Sequence, residues 1–458
     1  MIVAPVTARL AFADGRLDAR YHCSPGVLAN ERMVMLAAGG TLLRPVAGTD
    51  GLGSVGATSR SKRVYAAPGE ESVPYLRPYD VLDYLPQSAD LLSVTGSVGL
   101  DRLTPEPGTI LQTCSGRNLG PLVYADAYLS RFVISDDMLR VTIDDVSERL
   151  YALAFLSGAT GQALLTRSKT GNVIDHLSAS DLSAVPIPFI DRALTACVVA
   201  KMREAVETRE QARIRLHDLI ADMEAALPQV ARQAPLADGW THQAAAFASR
   251  LDVAFYDPLA SRIRSELLDA GGVRLRDVAE PFMLNRYKRV YVEPAYGRSI
   301  LSGRQLLQTR PVNLQYIAAG ALDAEAYALG ENTIAFGARG RAEDRIAQPA
   351  LIAGDRASWL ASHNLMRVRA KDGIDPGWLF LCLATWQIQA QVKASAFGSV
   401  VDVVDPNGLG DVVLPTPDPV PGEAAVQCWQ DFATATSLED AAISQIESAI
   451  LEQTGAAI

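Results

Sequence analysis

The segment RSKRVYAAPG at residues 60–69 returns as RYKRVYVEPA at residues 286–295, so the tetrapeptide KRVY occurs at 62–65 and again at 288–291, an offset of 226. One shared tetrapeptide in 458 residues is weak evidence by itself. Further matches in the same order and at nearly the same offset would indicate that the chain contains two copies of one unit.

Other matching segments do follow in order, at offsets between 224 and 234. They pair RLD at 16–18 with RLD at 250–252, YLRPYDVLDYLP at 75–86 with ILSGRQLLQTRP at 300–311, GTILQTCSGR at 108–117 with NTIAFGARGR at 332–341, LRV at 139–141 with MRV at 366–368, and TGNVIDHLSASDLSAVPIP at 170–188 with FGSVVDVVDPNGLGDVVLP at 397–415. Ordered matches at a near-constant offset are hard to obtain by chance. The sequence therefore predicts two homologous units, residues 1–190 and 236–415.

Each predicted unit is followed by a segment with helical periodicity. Residues 191–227 contain neither Gly nor Pro, and their apolar residues recur at steps of four and three, which is the pattern of a coiled-coil seam with Arg209 as its one charged position. The other positions of this seam are Val198, Met202, Ala205, Ala212, Leu216, Leu219, Met223 and Ala226. Residues 424–453 repeat the pattern. The second seam consists of Trp429, Phe432, Thr436, Glu439, Ile443, Ile446 and Ile450.

Neither helix is apolar all round, so each needs a partner surface. The two helices would either lie separately on their own units or pack against each other along the two seams, and their matched positions favour pairing. We therefore predict a central helical spacer and linker at 191–235 and a C-terminal helical spacer at 416–458. The segment QVARQAPLADGWTHQ at 229–243 is typical of a linker into the second unit.

The composition is that of a globular protein, with 49% hydrophobic and 21% charged residues. We expect no membrane span and no signal peptide, because the chain has no long uncharged apolar run and its first residues lack a basic start followed by an apolar stretch. Five scattered cysteines without a C-x-x-C pair indicate reduced thiols, and hence a cytoplasmic protein.

The net charge of −10 is unevenly distributed along the chain. Residues 416–458 carry seven acids and neither Lys nor Arg, whereas 274–304 and 336–371 each hold seven basic residues against three acidic ones. Local basic surfaces for DNA therefore remain compatible with the acidic total. On composition alone, plain solvated surface charges are the simpler interpretation.

Within a unit, short strands and helices mix without a βαβ rhythm. GTILQTCSG at 108–116 and SRFVISDDMLRVTI at 130–143 are typical of strands, and DDVSERLYALAFLSGATGQALLTRS at 144–168 of one helix with an Asp cap. This pattern predicts the α+β class.

The order of globular unit, helix, globular unit and helix resembles the DNA-specificity (S) subunit of type I restriction–modification systems. The motifs that carry the resemblance are LTPEPGTILQTCSGRNLG, SDDMLRV, YALAFLSGATGQALL and GNVIDHLSASDLSAVPIP in the first unit, with looser versions in the second. The resemblance implies two target recognition domains joined by an antiparallel coiled-coil spacer with pseudo-twofold symmetry. It further implies that the chain reads a bipartite asymmetric site in double-stranded DNA for two methyltransferase (modification) subunits, with an ATP-dependent restriction subunit as an optional further partner.

Two readers of DNA need Lys and Arg for phosphates, and planar or amide groups for base edges. The matched basic segments and the Gly-containing loops supply such residues. In the first unit the candidates are Arg60, Lys62, Arg63, Tyr65, Arg77, Ser115, Arg117 and Asn118. In the second unit they are Arg286, Tyr287, Lys288, Arg289, Tyr291, Arg304, Arg339 and Arg341.

Simpler interpretations compete with DNA contact for some of these positions. Val64-Tyr65 and Val290-Tyr291 fit plain strands, so each tyrosine is equally compatible with the core and with an interface. Gly116 and Gly340 are more simply explained as turn residues.

An enzyme is the rival class, and the sequence offers little for it. N-P-P-[YF] and D-P-P-[YF] motifs and a phosphate-binding G-x-x-x-x-G-K-[ST] loop are lacking, and the five histidines have no metal-ligand spacing. His22 and Cys23 are adjacent, so on a strand they would point to opposite faces. We therefore expect no cofactor, no metal and no catalytic residues. A DNA-recognition adaptor of another defence or modification assembly remains an open alternative.

Overall fold

The structure is a computed structural model in which the described residues form two compact units. One unit comprises Met1–Glu210 with Ala435–Ile458, and the other comprises Gln211–Thr434. The described residues are 24–58, 60–88, 90–115, 119–167, 176–230, 241, 250, 252–318, 320, 324–340, 346–398, 400–418 and 420–455. The RLD anchor at 16–18 and most of the predicted linker at 229–243 lie outside them.

The first unit mixes short strands with helices. Its helices are α1 (Pro25–Ala38), α2 (Leu100–Leu103), α3 (Val146–Ser157), α4 (Ala159–Arg167), α5 (Ala179–Ser183) and the beginning of α6 (Arg192–Ala226). Its strands are β1 (Leu42–Pro45), β2 (Ser54–Ala57), β3 (Ser72–Leu76), β4 (Asp90–Ser93), β5 (Ile110–Thr113), β6 (Leu122–Tyr124), β7 (Val133–Ile134), β8 (Met138–Thr142) and β9 (Pro186–Phe189). Short 3-10 turns occur at Asp80–Leu82 and Leu129–Arg131.

The second unit has the same mixed composition. Its helices are α7 (Pro258–Asp269), α8 (Leu275–Val278), α9 (Ala324–Tyr327), α10 (Pro376–Ala384), α11 (Trp386–Ser395), α12 (Pro406–Gly410) and the beginning of α13 (Gly422–Thr454). Its strands are β10 (Val273–Arg274), β11 (Ala279–Met283), β12 (Tyr291–Val292), β13 (Gly297–Leu301), β14 (Gln315–Ala318), β15 (Ile334–Gly337), β16 (Arg339–Gly340), β17 (Ala350–Leu351), β18 (Leu360–Ala361), β19 (Leu365–Ala370), β20 (Asp402–Val403) and β21 (Val413–Leu414). The 3-10 turns are Val253–Tyr256, Pro294–Tyr296, Arg304–Leu306 and Gly354–Ser358. The α+β class predicted from the sequence is therefore confirmed.

The two units have matching sheets. In the first, a four-stranded sheet has the order β2-β8-β5-β6, a second sheet has the order β4-β3-β7, and β1 pairs with β9. In the second, the corresponding orders are β11-β19-β15-β17, then β14-β13-β18 with β12 added at its edge, and β10 with β21. The parallel pair is matched as well, since Tyr75 pairs with Val133 and Ile300 with Leu360. This common topology agrees with the duplication inferred from the sequence.

The helix predicted at 144–168 is divided in two. Asp145 caps α3 as expected, because its carboxylate accepts a hydrogen bond from the Glu148 amide. Gly158 is extended, with ψ of 168°, and α4 begins after it. The break is stabilised by Glu447, whose carboxylate accepts bonds from the Thr160 amide at 2.7 Å and the Thr160 hydroxyl at 2.6 Å. The prediction of a single helix was therefore wrong, because α3 and α4 begin at separate caps. Asp145 caps α3 from the adjacent position, whereas Glu447, which binds the start of α4, lies 287 residues after Thr160.

In the first unit, the helical residues 192–210 and 435–454 run antiparallel. Arg209 donates a hydrogen bond to Glu439, and the Cys197 sulfur lies 3.6 Å from the side-chain oxygen of Gln445. Residue numbers therefore increase along one segment while those of its contacts decrease along the other. Apolar residues of both segments belong to one core with the strands and α3. They include Val198, Met202, Val206, Ala442, Ile446 and Ile450.

The core of the second unit includes apolar residues of its own helical segments. Trp429 of α13 packs edge-on against Phe380 of α10, with ring centroids 5.4 Å apart, and against Phe432 at 5.5 Å. Ala212, Leu216 and Met223 of α6 are buried as well. All of these residues except Phe380 fall on predicted seam positions, whereas the seam residue Leu219 is only half-buried and Ala226 is exposed.

Candidate nucleic-acid interface

The first basic segment, residues 60–66, lies along β4. Tyr65 forms an antiparallel bridge with Leu92, the Ser93 amide donates to the Val64 carbonyl at 2.8 Å, and the Ala66 amide donates to the Leu91 carbonyl at 2.9 Å. The segment therefore extends the β4-β3-β7 sheet at its outer side.

The second basic segment, residues 286–292, occupies the same place beside β14. Tyr291 pairs with Ile317, and the Ala318 amide donates to the Val290 carbonyl at 3.0 Å. These are the counterparts of the Tyr65–Leu92 bridge and of the Ser93–Val64 hydrogen bond. The two KRVY segments are therefore in register in three dimensions as well as in sequence.

Both KRVY tyrosines face outward. Tyr65 is 58% exposed and Tyr291 is 51% exposed, so neither is a core residue. The interpretation of these tyrosines as core residues was therefore wrong. Burial alternates along an edge segment, and here the tyrosines fall on the outer positions.

In the first unit, Arg63 is held by two partners. Its guanidinium donates to the Tyr75 hydroxyl at 2.5 Å and lies 3.5 Å from the carboxylate of Asp136, which also accepts a bond from the Ser61 amide at 3.3 Å. Partial burial opposes the charge, but Tyr75 and Asp136 raise the pKa of Arg63 above its ordinary value. The Asp136 side chain is only 4% exposed, so this carboxylate offsets much of the local positive charge.

In the second unit, a histidine replaces that carboxylate. His363 follows β18 as Asp136 follows β7, and its Nδ1 lies 2.7 Å from a guanidinium nitrogen of Arg289. Partial burial, followed by the charges of Arg289, Arg286 and Arg339, lowers the pKa of His363. We call Arg286, Arg289, Arg339 and His363 the arginine–histidine cluster. Its imidazole is neutral near pH 7 and accepts a bond from Arg289, so the arginine charges there are not offset by His363.

The other predicted side chains are distributed as follows. Arg60, Lys62, Arg286, Lys288, Arg304 and Arg339 are exposed, whereas Ser115 is half-buried. Arg117, Asn118 and Arg341 lie outside the described residues. Ser115 bridges His176, and Arg339 pairs with Val403 at the equivalent position of the second unit. Gly340 pairs with Asp402 in a strand, so its interpretation as a turn residue was wrong.

Arg77 and Arg304 are both predicted DNA contacts, but they are not structural equivalents. Arg77 forms an ion pair with Asp90 at 2.7 Å, and its amide donates to Asp80. In the second unit the equivalent amide belongs to Ser302, which donates to Gln305 at 3.2 Å. Arg304 lies two residues further on, in agreement with the offset of 225 between the matched segments 75–86 and 300–311.

Tyr287 has a structural contact besides its predicted role. Its hydroxyl donates to the Ala361 carbonyl at 2.8 Å, its ring lies 4.5 Å from that of Tyr327, and the guanidinium of Arg289 lies 5.3 Å from its ring centroid. Burial, opposed by Arg289, raises the pKa of Tyr287. Arg289 is therefore contacted by both the Tyr287 ring and His363.

The sequence analysis did not identify Asp136 or His363 as site residues. It used Arg140 and Arg367 only as part of the matching segments LRV and MRV, without assigning them a role. Arg140 donates to the Leu103 carbonyl at 3.0 Å, and Arg367 donates to the equivalent Ala328 carbonyl at 2.5 Å. Burial lowers the pKa of both, that of Arg367 to about 10 with a further contribution from Arg369. The arginine shared by LRV and MRV was the sequence feature that could have predicted this common role, which is to bind the carbonyls of Leu103 and Ala328.

Metal ligands, membrane helices and thiols were also sought in the described part of the chain. Those residues include no group of three or more His, Cys, Asp and Glu that could hold a metal ion, and none of their helices is long and apolar enough to cross a membrane. Cys114, Cys197, Cys382 and Cys428 are free thiols. The adjacent His22 and Cys23 lie outside the described residues.

No protein-family model matches the chain, and no curated protein matches it. Solved structures that resemble it are S subunits of type I restriction–modification systems. The S subunit from M. genitalium has 12% identity and a TM-score of 0.26, with 90% of this chain and 96% of that chain covered. The HsdS subunit from Thermoanaerobacter tengcongensis has 14% identity and a TM-score of 0.26, with 86% and 94% covered.

A chain from a structure that describes complex assembly and conformational transition of a type I restriction–modification system has 15% identity and a TM-score of 0.27, with 84% of this chain and 91% of that chain covered. Because these TM-scores lie below 0.5, we infer function from the contacts and charges of the chain itself.

Proposed function

We propose that this chain is a non-catalytic specificity subunit that binds a bipartite, asymmetric sequence in double-stranded DNA and directs partner methyltransferase subunits to it. Each unit acts as one target recognition domain. The observation that carries the proposal is the pair of basic segments, which lie in the same register on equivalent sheets yet have different neighbours. Two related but unequal readers match a site with two different halves.

The exposed cations of these segments suit the DNA backbone. Lys62 and Arg60 in the first unit, and Lys288 and Arg286 in the second, are exposed next to exposed tyrosines. Lysine and arginine neutralise phosphates, and arginine also makes paired bonds to guanine in the major groove. The residues outside the shared tetrapeptide, such as Ser61 against Tyr287, are then the better candidates for sequence choice.

We further propose that α6 and α13 form an antiparallel coiled-coil spacer between the two readers. The antiparallel pairing of 192–210 with 435–454 in the first unit supports this proposal. Helices of 35 and 33 residues have lengths of about 50 Å at 1.5 Å per residue, so in this proposal they would hold the two readers at a fixed separation. In this proposal the domain limits are 1–190, 191–235, 236–415 and 416–458.

The proposed partners are two methyltransferase subunits, with a restriction subunit as an optional third component. The C-terminal segment suits protein rather than DNA, because residues 416–458 carry seven acids and no basic residue. Such a segment repels phosphate and leaves DNA contact to the two units.

The proposal is tested by measuring the affinity of the full chain for duplex DNA at several salt concentrations. Lys288→Ala with Arg289→Ala should weaken binding and flatten the dependence on salt, because fewer counterions are released. The matched control is Arg215→Ala with Arg262→Ala, which removes two exposed charges elsewhere in the same unit. Equal effects of the two double variants, or the lack of any DNA binding by the wild type, would contradict the proposal.

The directing role is tested by co-expression with a candidate methyltransferase, followed by sequencing of the methylated bases. A methylated sequence with two halves is expected only when both proteins are present. Replacing residues 1–190 with another recognition domain should change only one half of the target. DNA binding without methylation would favour the alternative of an adaptor in another assembly.

A further inference from the structure

In the second unit, two backbone hydrogen bonds between Phe397 and Val403 close a hairpin. The Phe397 amide donates to the Val403 carbonyl at 3.0 Å, and the Val403 amide returns a bond to the Phe397 carbonyl at 2.7 Å. Gly398 has a φ of +141°, and a side chain there would collide with the Val401 carbonyl. Position 398 therefore requires glycine.

The loop exposes apolar side chains to solvent. Val400 is 87% exposed, Val401 is 50% exposed and Phe397 is 43% exposed. The acid of the loop, Asp402, is half-buried and has its backbone paired with Gly340. Three neighbouring apolar side chains held outward by a closed turn are unusual on a free surface, and such patches mark contact sites.

The base of the loop is fixed in place. Phe397 lies under the guanidinium of Arg250, 5.6 Å from ring centroid to Cζ, and that guanidinium donates to the Ser395 carbonyl at 2.7 Å. Arg250 also lies 4.6 Å from the ring centroid of Phe255 and forms an ion pair with Asp252. The loop is thus anchored at Phe397, and Val400 and Val401 extend beyond that anchor.

The loop adjoins the arginine–histidine cluster. Val403 pairs with Phe397 on one side and with Arg339 on the other, so the hairpin and the Arg339 strand form one small sheet. Arg339, Arg289 and Arg286 all act on His363. The hairpin therefore lies directly beside the Arg339 strand, and Arg339 belongs to the arginine–histidine cluster.

We propose that this surface is where the second unit enters a groove of DNA: the arginines hold the phosphates, and Val400 and Val401 contact base edges, with the C5 methyl group of thymine as the group they recognise. The inference rests on the proposed function and specifies its chemistry. Charge complementarity selects DNA as the occupant, because a cluster of arginines borders the apolar side chains. Aliphatic side chains recognise the thymine methyl in the major groove, where it distinguishes A·T from G·C pairs.

The test begins with selection of bound duplexes from a random-sequence library by the wild-type full chain. The selected duplex is then synthesised with thymine or with uracil, which differ only in the C5 methyl group, and affinity is measured for each half-site. Replacing thymine by uracil in one half should weaken binding about fourfold for each methyl group contacted. Val400→Ser with Val401→Ser should remove this difference while leaving the response of the other half unchanged.

The matched control is Val253→Ser with Val420→Ser, which removes similarly exposed valines elsewhere in the second unit. It should retain the thymine preference of the wild type. If the wild type binds DNA but does not distinguish thymine from uracil, the groove contact is overturned while the proposed function stands. If the loop variant keeps its DNA affinity and thymine preference but no longer binds the methyltransferase, the surface is a protein contact and the inference is wrong. Lack of DNA binding by every variant and by the wild type would overturn the proposed function itself.

Discussion

Arg63 and Arg289 occupy the same position in two copies of one fold, but the first has a charged partner and the second a neutral one. Arg63 faces the buried carboxylate of Asp136, whereas Arg289 faces the neutral ring of His363. The repeated segment thus preserves backbone placement while a single exchanged residue changes the available charge. We infer that the first unit holds its basic segment firmly, and that the second offers more uncompensated positive charge to DNA.

The largest expected effect is on stability, from Asp136→Ala. This change removes the acceptor of the bond from the Ser61 amide and the carboxylate that lies 3.5 Å from Arg63, and losing such interactions with a buried charged group costs about 2 kcal/mol of the free energy of unfolding. His363→Ala should cost less than about 1 kcal/mol, because only one bond is lost and the site is more solvated. Urea unfolding, with amide hydrogen exchange at residues 61–66 and 287–292, measures both.

The control for this experiment is Asp137→Ala, which removes an exposed carboxylate next to Asp136 in sequence. We expect little change in the free energy of unfolding and in exchange at residues 61–66. Equal destabilisation by Asp137→Ala and Asp136→Ala would show that the buried carboxylate has no special role in holding the first basic segment.

The next effect in size is on DNA affinity. Lys288→Ala with Arg289→Ala should weaken binding about tenfold or more and lower the salt slope by about 2, since each phosphate contact contributes about 0.9. Lys62→Ala with Arg63→Ala should lower the slope by only about 1, because Asp136 already neutralises Arg63 in part. Fluorescence anisotropy with one duplex over a salt series measures both slopes. Identical slopes for the two variants would remove the proposed difference between the units.

A smaller effect is expected from exchanging the cluster residue itself. His363→Asp places a carboxylate next to Arg289, as in the first unit, and should weaken DNA binding several-fold and lower the salt slope by about 1. His363→Asn is the matched control, because it retains a neutral side-chain acceptor. If His363→Asp and His363→Asn bind DNA equally, the charge at this position does not govern the difference between the units.

The smallest effect is on the pH dependence of stability. Burial and three arginines lower the pKa of His363 in the folded protein, so the unfolded chain takes up its proton first as the pH falls. The contribution of His363 to stability should therefore be complete above its unfolded pKa of about 6.5 and decline as the pH falls through and below that value. Comparing the free energies of unfolding of wild type and His363→Gln between pH 8 and 5 isolates this change. A wild-type profile parallel to that of His363→Gln would contradict it.

The features that could be predicted from the sequence are those that depend on the spacing of residues along the chain. The register of KRVY, the α+β class and most seam positions were accessible because each depends on spacing along the chain. Arg209 and Glu439 also stand out, since each is a charged residue in an otherwise apolar pattern, and the structure joins them in a buried pair. Repetition made these features visible, because a pattern that occurs twice is distinguishable from chance.

Contacts between distant residues were less accessible. Asp136 lies 73 residues from Arg63, and its counterpart is a histidine, so the repeat gave no matching letter to notice. The division between α3 and α4 depends on Glu447, which follows Thr160 by 287 residues. Helix periodicity continues through Gly158, and only the tertiary cap decides where one helix ends and the next begins.

The position of the KRVY segments at the sheet edge also affects solubility. In the second unit, β12 is the outermost strand of its sheet, and an outermost strand leaves backbone groups able to pair with another molecule. Lysine and arginine next to such a strand, here Lys288 and Arg289 just before β12, discourage that pairing through charge repulsion between molecules. The cations that we propose bind phosphate therefore also reduce aggregation of the protein when it is not bound to DNA. Variants that remove them should be checked by light scattering before weaker DNA binding is attributed to a lost contact.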